Sequence, residues 1–152
     1  MLFDLPETTA ALTAADSARV YSTVAWSCEE VFVVAAGWLD SMPAPEAKVA
    51  VSVAARVFGW HAAQWRALVP ESVLLEDHRS AAPGPAAAEA IAELVRAEPA
   101  VRVDSLRALA GKMCDEVDLL ATRLSPVSDG AAARLATFLR ADLSRLSGTF
   151  AG

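Results

Sequence analysis

MPAPEAKVAVSVAARVFGWHAAQWRALVP, Met42 to Pro70, is the stretch whose reading decides the fold. Prolines mark both ends, and between them apolar residues recur three and four apart. Ala47, Val51, Ala54, Phe58, His61, Trp65 and Leu68 fall on one stripe, while Lys48, Arg56 and Arg66 take the opposite side. The valines of 49–57 sit among alanines without the strict alternation of a half-buried strand. The spacing therefore predicts a helix over 45–68. Pro45 suits its first turn, where the missing N–H would be unsatisfied anyway, and Pro70 ends it.

Upstream, the short link Met42-Pro43-Ala44-Pro45 ties this helix to another expected over 16–41, with Thr13 or Asp16 as its N-cap. So tight a connection favours an antiparallel hairpin. Downstream, residues 70–85, with Ser80-Ala81-Ala82-Pro83-Gly84-Pro85, read as a crossover loop. A short alanine-built helix follows over 86–97, carrying Ile91, Leu94 and Val95. A long helix is expected over 101–124, with Asp104 as an alternative start. The turn Ser125-Pro126-Val127-Ser128-Asp129-Gly130 then enters a last helix over 128–146. No strand emerges. Two hairpins of long helices joined by a long connection predict an all-α antiparallel four-helix bundle, with an additional short helix in the crossover. The expected layout is a single domain over 1–152, in which 1–14 is an N-terminal extension.

Bulk properties narrow the function classes. A chain of 152 residues buries roughly 70% of its unfolded surface on folding, enough for one good core. Hydrophobic residues at 55% and charged residues at 21% exclude a disordered chain. A net charge of -6, with arginines interleaved among acids, gives no basic surface for nucleic acid. Cys28 and Cys114 form no CxxC or Cys/His cluster, so neither a zinc site nor a disulfide framework is implied. Met1 to Thr9 lacks the basic and apolar regions of a signal peptide. The apolar run Val31 to Leu39 is shorter than the roughly 20 residues of a membrane span. The expectation is a reduced, cytoplasmic protein with no membrane partner.

Helical wheels place several ionisable residues among core positions. His61 lies on the stripe of the 45–68 helix. Glu116 shares a face with Leu109, Met113 and Leu120, and Asp142 with Leu135, Leu139 and Leu146. In the first helix Glu30 sits beside Thr23 and Ser27, and Glu29 nearer Phe32 and Val33; either is a candidate for turning inward. A buried carboxylate or imidazole needs a partner, a proton, water or a ligand. His61 as a hydrogen-bonded structural histidine, Asp142 paired with Arg145 and Glu116 paired with Lys112 form one reading. A shared polar pocket is the other. Trp26, Trp38, Trp60 and Trp65 similarly read as core filling, or as a wall for a planar or apolar small molecule.

The run Gly59-Trp60-His61-Ala62-Ala63-Gln64-Trp65-Arg66-Ala67-Leu68-Val69-Pro70, together with Ser125-Pro126-Val127-Ser128-Asp129-Gly130-Ala131 entering the last helix, resembles small bacterial proteins of the ferritin-like superfamily. The resemblance spans about residues 15–148. Ferritin-like di-metal proteins hold two cations with a Glu on each of two helices and a Glu-x-x-His on each of the others. The resemblance implies Glu30 or Glu29 as the first-helix carboxylate and Glu116 as another. The two Glu-x-x-His positions instead read Phe58-Gly59-Trp60-His61 and Asp142-Leu143-Ser144-Arg145. Phe58 removes a bridging carboxylate, and Arg145 puts a permanent cation where an imidazole would bind metal. Neither metal nor cofactor is therefore expected.

The leading expectation is a rebuilt polar pocket for a small organic molecule, with His61 as general base or acid and Asp142 and Glu116 sharing or tuning the proton. Arg145, Trp60, Trp65, Glu30 and Phe58 would contact the ligand. Proton-transfer chemistry such as isomerisation, cyclisation or elimination suits that set. The alternative is a non-catalytic binding or assembly protein, since a first helix apolar nearly all round needs cover on several sides. A homodimer is expected, and a metal-dependent oxidase or hydroxylase is the third reading.

Overall fold

A computed structural model describes residues 1–148, and these are all-helical. Helix α1 spans Ala14–Trp38, α2 Pro45–Leu68, α3 Glu76–Arg79, α4 Pro85–Val95, α5 Arg102–Ala121 and α6 Gly130–Ser147. Thr13 is the N-cap of α1 in a reciprocal capping box with Asp16, which satisfies two otherwise orphaned first-turn donors. That bond also holds the Asp16 carboxyl below its usual pKa. The first helix ends earlier than expected, because Leu39–Ser41 tightens into a 3-10 turn before the prolines. The stretch that opened the sequence reading forms α2 with the expected limits. Residues 70–85 are not wholly loop: Ser72 caps a 3-10 turn at Val73–Leu75 that leads into α3.

Helices α1 and α2 pack along one another, as do α5 and α6, and α2 is the element that touches both α5 and α6. Leu68 shares a cleft with Ala131 and Ala132, His61 bonds to Asp142, and Val51 shares a cleft with Leu146. Helices α2 and α6 are thus antiparallel. Val51 and Ala54 share their cleft with Val103 and Leu106, so α2 and α5 begin at the same end. The crossover returns the chain to that end, and its helix α4 packs against α1 and α5. One core joins Val24, Val31, Trp65, Met113, Leu120 and Leu139.

Residues 1–13 are more than an extension. Leu2, Phe3 and Leu5 are buried in the core. Glu116 on α5 accepts hydrogen bonds from the Leu2 and Phe3 amides, and Asp4 accepts from Arg19 and from the Gly84 amide. Arg123 donates to the Pro6 and Ala10 carbonyls. Asp4 adopts φ 51°, a left-handed conformation that Asp tolerates better than most residues. No helix among the described residues is long and apolar enough to cross a membrane.

Candidate functional site

Two of the three predicted core ionisable residues meet. His61 is wholly buried on α2 between turns bearing Phe58 and Trp65, themselves buried. Its Nε2 lies 2.9 Å from Asp142 Oδ2 on α6. Burial pushes the His61 pKa down, and the hydrogen bond to Asp142 opposes this without cancelling it. The neutral ring therefore donates Nε2–H to the acceptor-only carboxylate, which leaves Nδ1 as the lone-pair nitrogen. That Nδ1 is buried with no hydrogen-bond partner. Arg145, one turn after Asp142, donates from Nη1 to Asp142 Oδ1 at 3.1 Å. Asp142 thus links a buried imidazole to an exposed guanidinium.

Beside this chain lies a cavity of about 250 Å³ where α2, α5 and α6 converge. Val51, Phe58, Leu106 and Leu146 supply apolar wall, and Arg107 and Arg145 the charged part. Neither His61 nor Asp142 lines this cavity; Phe58, one turn before His61, and Arg145, one turn after Asp142, do.

The other expected site residues go elsewhere. Glu116 is engaged by the amides of the N-terminal strap and opens onto a surface cleft with Met1 and Lys112. It does not complete the His61 site, because its face of α5 packs under residues 1–5 rather than toward α2. Glu30 is half-buried, with no hydrogen bond or ion pair to His61 or Asp142 among the described residues. Its neighbour Glu29 pairs with Arg66 on the surface. Trp60 sets its ring edge against His61 at 4.8 Å between centroids but is 46% exposed, so it is a surface residue and not a pocket wall. Trp65 is core, packed edge-on against Tyr21 at 5.5 Å, and its buried indole N–H lacks a partner.

These positions do not fit a di-metal centre. Phe58 offers no ligand, Glu116 is tied to backbone amides, and Asp142 carries a guanidinium. Among the described residues, no three His, Cys, Asp or Glu side chains converge to hold a metal ion.

A second buried polar pair escaped the sequence reading. The Tyr21 hydroxyl donates to Asp129 Oδ1 at 2.9 Å, and burial raises its pKa to about 12. Asp129 stands at the N-cap of α6, yet its side chain makes no capping hydrogen bond; Oδ2 accepts from the Ser125 amide and folds the turn back on itself. No local pattern links Tyr21 to a residue 108 positions away. Cys28 is buried with its thiol pushed up to about 12, which keeps it protonated and unreactive.

Comparison of the chain with protein-family models, with curated proteins and with solved structures returns no match.

Proposed function

We propose that α1, α2, α5 and α6 form a ferritin-like four-helix bundle that binds a small organic molecule in the cavity between α2, α5 and α6, with His61 and Asp142 as its proton-transfer pair. The helix directions support the fold: α2 antiparallel to α6 and parallel to α5, with a long crossover between the hairpins, is the layout of ferritin-like bundles. The observation that carries the function is the chain His61–Asp142–Arg145, which runs from a buried imidazole whose Nδ1 has no partner to a guanidinium that lines the cavity.

Once a ligand reaches the buried Nδ1 from the cavity, such a dyad takes a proton there while Asp142 stabilises the imidazolium, then returns it to another atom of the same molecule. An isomerisation of this kind needs no oxidant or co-reactant. The test is fragment screening by NMR on the full chain, followed by solvent-deuterium exchange into the compounds that bind. Binders should shift the Phe58 and Leu146 resonances. Exchange into a bound C–H should survive exhaustive chelation and disappear in a folded His61→Gln variant. A library without binders removes the cavity reading, and exchange undiminished in His61→Gln removes the catalytic one.

A second reading, assembly into a homodimer, has its own support. Val49, Val53 and Trp60 lie exposed at helical spacing on α2, with Phe32 and Val33 exposed on α1. Glycine at 59 lets the Phe32 ring approach α2 closely, since a Cβ there would meet Phe32 Cδ2 at 3.1 Å.

A further inference from the structure

The charge of the cavity lining points to a class of ligand, an inference that rests on the small-molecule reading above. We infer that the cavity takes a compact organic carboxylate, its apolar body among Val51, Phe58, Leu106 and Leu146 and its carboxylate on the guanidinium groups of Arg145 and Arg107. Among the described residues, both charged groups in the lining are arginines and no carboxylate lines the cavity. Guanidinium matches carboxylate geometry in a way that no neutral headgroup does.

Each arginine already has an acidic neighbour, and neither pair uses all the donors of its guanidinium. Arg107 meets Asp104 at 3.1 Å with side chains 56% and 77% exposed. Arg145 meets Asp142 at 3.1 Å with side chains 68% and 28% exposed. The Arg107–Asp104 pair, exposed on both sides, is worth about 0–1 kcal/mol, and in both pairs the guanidinium carries five N–H donors, of which one carboxylate oxygen takes one. Both arginines therefore keep donors for a second carboxylate.

The apolar walls set the remainder of the ligand. A charged or strongly hydrated body would lose its water against valine, leucine and phenylalanine without replacement. The volume of about 250 Å³ falls just below the ~300–1,000 Å³ usual for small-molecule clefts. Medium-chain or single-ring acids fit it better than long acyl chains. A carboxylate on Arg145 would also compete with Asp142 for the guanidinium, so occupancy reaches the His61 pair through a single side chain.

Titration calorimetry of the full chain with octanoate and with its neutral isostere octanamide tests the class. Octanoate should bind at least tenfold more tightly, with affinity falling as salt rises. Arg107→Gln and Arg145→Gln, both at exposed positions, should each cut that advantage severalfold while leaving octanamide unchanged. Equal affinity for the two compounds overturns the anion inference and leaves the cavity reading standing. Binding of neither compound, in a chain that also gives no fragment hits, overturns both.

Discussion

His61 is the residue at which burial and chemistry conflict most directly. In the unfolded chain it titrates near the ordinary histidine value of about 6.5, and burial in the folded state lowers that pKa, the Asp142 hydrogen bond opposing. The unfolded state therefore binds more protons below that point, and stability falls as pH drops through about 6.5 toward the folded value. Above it, this contribution is fully present. Denaturant unfolding at a series of pH values should show the loss, and His61→Gln should flatten the curve between neutrality and mild acid; an unchanged slope would mean that other groups carry it. Asp142 was legible in the sequence as an inward-facing acid with Arg145 one turn away. Its bond to His61 was not, because wheels give faces of single helices and not which faces meet.

Among the elements, the N-terminal strap departs furthest from its sequence reading. Residues 1–14 carry no helical period, and the three anchors Leu2, Phe3 and Leu5 are too few to predict burial from pattern. Their place is decided by Glu116, whose carboxylate bonds the Leu2 and Phe3 amides. Glu116→Ala should cost about 1.5–3 kcal/mol, the range for hydrogen bonds to a charged group, and should expose residues 1–13 to proteolysis. Denaturant midpoints and limited digestion measure both; an unmoved midpoint with an intact N-terminus would remove the anchoring role. A complementary change reaches the same strap from the other side. Alanine at Gly84 would drive its Cβ into the Asp4 carboxylate, which holds Arg19 and the Gly84 amide together.

At the scale of the whole molecule, the core is generously supplied with leucine, valine and aromatic side chains, yet part of the apolar surface is left outside it. Trp60 shows the distinction best. On the wheel it adjoins the buried stripe of α2, yet its side chain stands exposed with its ring edge against His61. Sedimentation of the native chain should reveal a dimer whose dissociation constant rises on Trp60→Ser with thermal stability nearly unchanged. A monomer at all concentrations would end the assembly reading.

The sequence by itself determined the helices, since the 3.6-residue period, the proline breaks and the caps are local properties readable from neighbouring residues. It also determined that His61 and Asp142 face inward. Only the tertiary structure decided which inward groups share space, bringing His61 to Asp142, sending Glu116 to the strap and pairing Tyr21 with Asp129. The physical reason is that these contacts join residues 81, 114 and 108 positions apart. Their partners are set by how the helices rotate and stack to fill one core, which no single stretch of chain encodes.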